Sequence, residues 1–200
     1  MTSPPSVIKV GGSLFDMADF PAKLDHWLND QPIGRHVLIP GGGRLADAIR
    51  DADDVHQIGD EAGHWLCVQL LDVSAQLLAC MIGDARLVRR FGELEAAMEG
   101  EISGRWILSV EDFMRQHEPR IAGRPLSHDW RSATDAIGAR VACALNAPEL
   151  VLLKSCDLPL GTDRQAAAAK GLIDQALPEA AQDLTLTWVN LRSDGSRHSF

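Results

Sequence analysis

Val7-Ile8-Lys9-Val10-Gly11-Gly12-Ser13 is the stretch on which the fold turns. Residues 7–10 make a short apolar run, and paired glycines close it. A short apolar run bounded by a turn signal reads as a buried strand opening into a glycine turn. Outward from it the same grammar repeats. Residues 16–29 carry Phe20, Leu24, Trp27 and Leu28 at helical spacing. Residues 36–39 form a second short strand, ended by Pro40 and the triplet Gly41-Gly42-Gly43. Residues 44–50 continue as helix, with Leu45, Ala48 and Ile49 on one side.

The longest helical pattern is 60–82, where Trp65, Leu66, Gln69, Leu70, Val73, Leu77 and Cys80 keep the period. Its near-continuous apolar character asks for burial on more than one side, the extra face packing against the sheet or against a second subunit. Gln69, Asp72, Ser74 and Gln76 make it a poor membrane span. Further on, 85–88 reads as strand, 91–98 as helix and 106–109 as strand. A helical turn at 111–115 and a loop at 119–125 follow. Residues 133–145 are helical, with Ile137, Val141 and Leu145 in phase, and Asn146-Ala147-Pro148 stops them. Residues 150–153 form a fully apolar strand and 184–189 the last clear one. The tail 193–200 has no apolar period and reads as loose. Short apolar strands alternating with helices predict a three-layer α/β/α sandwich around a mainly parallel sheet. With no linker and no repeat, 1–200 reads as a single domain.

Composition narrows the function. The chain has 200 residues, 46% of them hydrophobic, and a formal net charge of -9. That is globular, and it lacks the basic face of a nucleic-acid binder. Cys67, Cys80, Cys143 and Cys156 are far apart without a CxxC, which argues for reduced thiols rather than a disulfide scaffold or structural zinc. The first six residues lack the basic stretch and apolar run of a leader. A cytoplasmic setting, no membrane and no protein-held metal are the expectations.

Four sites carry chemistry. Gly11, Gly12 and Ser13 let the backbone approach a ligand and offer amides to an anion, with Lys9 beside them to balance charge. The reading as a plain turn with a solvated lysine stands level with it. Gly41, Gly42 and Gly43 precede a helix start, where bare amides favour an anion; Arg44 adds a cation or is simply a solvated helix residue. GxGxxG and GxxxxGK[ST] are both absent, so phosphate must be held by another arrangement. His128-Asp129-Trp130-Arg131-Ser132-Ala133-Thr134-Asp135 leads into the central helix. Ser132 or Thr134 caps that helix, and Asp135 is either a capping-box acid or a first-turn acid. Lys154 ends an apolar strand, where a buried lysine needs an anionic partner; Asp157 follows in the loop.

Together these motifs resemble the amino acid kinase family over roughly residues 7 to 175. The likeness rests on Lys9, Gly11, Gly12 and Ser13 at the first strand, Gly41 to Gly43 after the second, Ser132, Thr134 and Asp135 at the central helix, and residues 150–157, where Leu158 replaces the family's glycine after Asp157. The resemblance implies an ATP-dependent kinase transferring the γ-phosphoryl in line. Lys9 balances charge on the transferring group, Lys154 contacts the β- or γ-phosphate, and Asp135 orients both. Gly11, Gly12, Ser13, Lys154 and Asp157 hold ATP. Magnesium arrives with the nucleotide. Gly41, Gly42, Gly43, Arg44, His128, Asp129, Trp130, Ser132 and Thr134 hold a small-molecule acceptor. Residues 126–130 and 132–137, Lys154 in place of a more usual threonine, and the short overall length resemble, within the family, the members that act on an aminomethylfuran phosphate acceptor. A phosphate- or carboxylate-bearing metabolite is the alternative acceptor, and a non-catalytic binder of the same fold the alternative role. The nucleotide-binding part after Asp157 is shortened, Lys170 standing where the family has a late lysine. A homodimer through the 65–82 helix is expected.

Overall fold

A computed structural model describes residues 4–100, 102–193 and 197–200. Among the described residues seven strands form one sheet in the order β3-β4-β2-β1-β5-β6-β7, where β1 is Ser6–Val10, β2 Arg35–Pro40, β3 Ala85–Val88, β4 Gly104–Leu108, β5 Glu149–Lys154, β6 Thr185–Asn190 and β7 Arg197–Ser199. All pairings are parallel except β6 with β7. The helices are α1 Phe20–Asn29, α2 Gly43–His56, α3 Asp60–Met81, α4 Phe91–Glu99, α5 Thr134–Ala144, α6 Arg164–Ala169 and α7 Leu177–Ala180.

The strand alternation explains the three layers. Val7 faces one core, with Ile137 and Val141 of α5 and Phe91 of α4. Ile8 and Val10 face the other, with Leu24 and Trp27 of α1 and Ala75 and Leu78 of α3. Lys9 therefore points to the α5 side, with Val7. Gly138 lets α5 come close: a Cβ there would stand 3.2 Å from Leu150 Cδ1 and 3.7 Å from the Lys9 Cβ.

The chain lays down β2, β3 and β4 on one side of β1, then returns to place β5 on the other. The reversal falls at the carboxyl ends of β1 and β5, the place where open α/β sheets bind ligands. Helix α5 is tied there by its buried Arg140. Arg140 Nε donates to Glu118 Oε1 at 2.8 Å and Nη1 to the Ala122 carbonyl at 2.8 Å. Glu118 Oε1 also accepts from the Leu126 amide at 3.0 Å, which fixes the loop leading to residues 127–132.

Several boundaries differ from the periodicity. Residues 12–16 form a tight helical turn, and Met17 is extended, so α1 starts at Phe20 with Pro21 in its first turn, where a missing amide costs nothing. Helix α2 runs to His56 rather than ending at 50, and Gln57 closes it in the left-handed conformation at φ 50°. The tail is not without order: 197–199 pair with β6, while 194–196 lie outside the described residues, as do Met1, Thr2 and Ser3 of the leader reading. Helix α3 is long and apolar enough to cross a membrane by length and composition. Its Val68, Leu71, Ala75 and Leu78 side is nonetheless buried against the sheet.

Candidate functional site

Two lysines and one aspartate meet at the carboxyl ends of β1 and β5. Lys9 Nζ lies 2.9 Å from Asp135 Oδ1, and Lys154 Nζ donates to Asp135 Oδ2 at 2.8 Å. Parallel register places the strands side by side, Lys9 opposite Leu152 and Val10 opposite Leu153. Asp135 enters from the first turn of α5, as one of the sequence readings had it. The three side chains line a cleft of about 380 Å³. Lys9 and Asp135 are buried, Asp135 only 2% exposed, and Lys154 is half-buried beside them. Burial alone would push the Asp135 carboxyl up, but two adjacent ammoniums hold it well below the ordinary carboxylate range. Burial works against both lysines as well. The carboxylate outweighs it at Lys9, which is held above its usual value. Lys154, repelled by Lys9, stays below.

Above this cluster the two glycine turns abut. A Cβ on Gly12 would lie 2.1 Å from the Gly43 amide nitrogen, and one on Gly41 2.8 Å from the Gly12 nitrogen. Gly43 itself has φ +51°. The glycines are thus required by the close approach of two backbones. The Gly11 amide donates to the Leu153 carbonyl and the Gly41 amide to the Val10 carbonyl, each at 2.8 Å. Those two amides hold the turns to the sheet and are not free for an anion, although Gly41 itself lines the cleft. Gly12, Ser13, Gly42 and Gly43 line the cleft at helix starts, whose first amides have no partner within the helix. Ser13 Oγ is 2.8 Å from Ser155 Oγ across the mouth.

The opposite wall comes from α2, α3 and 129–134. Asp129, Trp130, Ser132 and Thr134 all line it. Trp130 Nε1 donates to Asp53 Oδ2 at 2.9 Å, and its ring lies against Gly63, where a Cβ would stand 2.8 Å from Cζ2. Arg50 stacks over that ring at 5.4 Å. Asp129 is paired with Arg131, whose Nη2 donates to Oδ2 at 2.6 Å, and this holds its carboxyl below the usual range.

Four expected residues lie elsewhere. Arg44 points out to Asp16, Nε to Oδ1 3.0 Å, with its side chain 81% exposed, because its place in the first turn of α2 faces solvent. His128 sits behind the wall: its Nδ1 is 3.0 Å from Glu61 Oε1 and its ring stacks on His64 at 4.9 Å. Asp157 accepts from Asn190 Nδ2 at 2.7 Å and does not line the cleft. Lys170 is exposed and also outside it.

Other residues occupy the site in their stead. Arg50, two turns along α2, is the arginine of the cleft. His64 lines it from α3 with a buried Nε2 that has no hydrogen-bond partner. Burial, and His128 beside it, push its pKa down, so the ring is neutral. Asp174, 38 residues along, supplies the α5 cap that Ser132 and Thr134 were expected to give, its Oδ2 accepting from the Ala136 amide at 3.0 Å. Local spacing carries no trace of such a long-range cap.

Burial, reinforced by Asp135, raises the Asp174 carboxyl from 3.8 to about 6. The folded state then binds more protons than the unfolded state between those values, so this group makes stability fall as pH rises through them. Asp135 has the opposite sign: its contribution is present above the ordinary carboxylate range and lost as pH falls below it. Asp174→Asn should therefore be more stable relative to wild type at about pH 6.5 than at about pH 4.5, as read by urea unfolding. An unchanged difference between the two pH values would contradict the assignment.

No protein-family model matches the chain. It is 23% identical over 157 residues to the [5-(aminomethyl)furan-3-yl]methyl phosphate kinase of Methanocaldococcus jannaschii, a match covering 76% of this chain and 66% of that protein, just under two thirds of its length. Among solved structures it resembles the UMP kinase of Bacillus anthracis with a TM-score of 0.65, 12% identity and coverage of 98% of this chain and 90% of that one. The UMP kinase of Ureaplasma parvum gives 0.60 at 12% identity, covering 94% and 90%. The uridylate kinase of Archaeoglobus fulgidus gives 0.56 at 14% identity, covering 90% and 88%. These likenesses show the fold, a three-layer α/β/α sandwich of the amino acid kinase, or carbamate kinase-like, type.

Proposed function

Starting from that fold, we propose that the chain is an ATP-dependent phosphotransferase acting on a small phosphomonoester that carries a primary ammonium, such as the aminomethylfuran phosphate of a methanofuran-type cofactor pathway. The observation that carries the reading is the buried Asp135 gripping both Lys9 and Lys154 beneath two abutting glycine turns. Phosphoryl transfer needs alignment and positive charge more than a protein nucleophile. Lys9 neutralises the group in flight, Lys154 meets the β- or γ-phosphate, and Asp135 holds the two ammoniums at a fixed separation. The cleft suits a phosphate chain where Gly12, Ser13, Gly42 and Gly43 line it, since residues without bulky side chains let a ligand approach their backbone. Among the described residues, no group of three or more His, Cys, Asp and Glu side chains is placed to hold a metal ion. Magnesium would enter on the nucleotide, where it offsets charge on the phosphate oxygens.

On the acceptor side, Arg50 and the amides of Gly42 and Gly43 suit a phosphate, Trp130 suits a flat ring or an ammonium, and Asp129 suits the ammonium. A homodimer through the exposed Leu66, Val73 and Leu77 of α3 and a cytoplasmic setting belong to the same reading. One contact favours a second reading, a nucleotide or metabolite binder without turnover: Lys154 already donates to the Leu172 carbonyl at 2.9 Å, so the loop must yield before it meets a phosphate.

Competing acceptors at fixed ATP, with product masses, separate these readings. The aminomethylfuran phosphate should give the diphosphate, and Trp130→Ala should raise its KM by about tenfold, the loss of one stacking contact. An acyl phosphate formed from a carboxylate substrate, with no diphosphate from the furan, would move the assignment to another acceptor. ATP binding without product from either would favour the binder.

A further inference from the structure

Asp174 lies on 171–174, the segment that closes the cleft over Lys154. It is half-buried in the cleft wall, yet neither lysine bonds it in the way both bond Asp135. Its Oδ2 instead accepts from the Ala136 amide, one residue beyond Asp135. The charges that face it are Lys9 from β1, Lys154 from β5, and Asp135 with the amide end of α5. With both carboxyls ionised, these four side chains sum to no net charge. A polyphosphate entering such a site meets two ammoniums, each already opposed by a carboxylate.

We propose that Asp174 is a proton-exchanging positioning residue, which caps α5 so that Asp135 stays under the two lysines and takes up a proton from solvent when a polyphosphate enters the cleft. The proposal rests on the phosphotransferase reading of the site. Asp135 cannot supply the change, because two ammoniums hold it ionised. Asp174 lines the cleft with no lysine bonded to it, and its carboxyl is already raised to about 6, so the field of the incoming phosphates completes its protonation. The cap survives the event. A carboxylic acid keeps an acceptor oxygen for the Ala136 amide, and its new O–H becomes a donor. The cluster then carries one net positive charge and presents it to the phosphates with its geometry intact. One proton leaves the buffer for each polyphosphate bound, and no covalent bond changes.

Calorimetric titration with MgATP in buffers of different ionisation enthalpy counts that proton. At about pH 6.5 wild type should take up about three-quarters of a proton per site more than Asp174→Asn, which is neutral but keeps an oxygen for the cap. Wild-type affinity should fall as pH rises from about 6 to 7.5, at a slope equal to the proton count. The Asn variant should show a flatter slope. Equal proton counts in the two proteins, with ATP bound by both, would overturn the proposal and leave the kinase reading standing. If the variant does not fold, a wild-type affinity independent of pH has the same force. No ATP heat at all would remove the kinase reading, and this inference with it.

Discussion

Lys9→Ala should slow phosphoryl transfer by about 10²- to 10³-fold, the usual cost of removing one preorganised charge from a transition state. The argument is geometric. Lys9 reaches the cleft because β-strand alternation turns it to the α5 side, and Gly138 keeps α5 close enough for Asp135 to meet it at 2.9 Å. Without Lys9, Asp135 keeps Lys154 at 2.8 Å, so no unpaired carboxylate is left in the core. The variant should therefore fold, with the loss falling on kcat more than on the KM for ATP, since Lys154 and the glycine amides still hold the nucleotide. Steady-state kinetics with circular dichroism of the same sample make the test. Turnover within threefold of wild type would sink the role given to Lys9.

Gly12→Ala should cost about 2–4 kcal/mol of stability, at the upper end of what single substitutions do. Its Cβ would stand 2.1 Å from the Gly43 nitrogen and 2.5 Å from the Gly43 Cα. Both are backbone atoms, in a turn whose Gly43 already sits at φ +51° and is itself blocked by the Gly12 carbonyl oxygen at 2.6 Å. Neither turn has a rotamer to move, so the backbone must separate and open the cradle. Gly92→Ala is the control: a Cβ there meets nothing within 4 Å, and in helix α4 alanine should be neutral or stabilise by up to about 1 kcal/mol. Urea midpoints for the two variants decide it. Equal midpoints would mean that the abutting turns do not constrain the fold.

The sequence was informative wherever local chemistry and long-range structure agree. The β1, β2 and β5 runs are apolar because they are buried on both faces, and their glycine ends are legible because two backbones touch there. Asp135 and the two lysines lie at strand or helix ends, where spacing alone suggests a site. Arg44 was misplaced because following the triplet in sequence does not turn its side chain toward the cleft. The helix turns it to Asp16, and Arg50 arrives two turns later on the cleft side. His128 went astray for a related reason: the loop that carries it folds down onto α3, so His64 faces the cleft in its place. Asp174 could not be read at all. A cap delivered across 38 residues leaves no local pattern, and the expected Ser132 and Thr134 caps are each plausible by spacing.

The account turns on where a triphosphate binds, and a crystal structure with magnesium and a non-hydrolysable ATP analogue tests that most directly. The account predicts the γ-phosphate within hydrogen-bonding distance of both Lys9 and Lys154 Nζ, with the Gly12 and Ser13 amides turned to the phosphate chain and the Leu172 carbonyl withdrawn from Lys154. A triphosphate bound elsewhere, with both lysines still closed on Asp135 and Lys154 still bonded to Leu172, would contradict it.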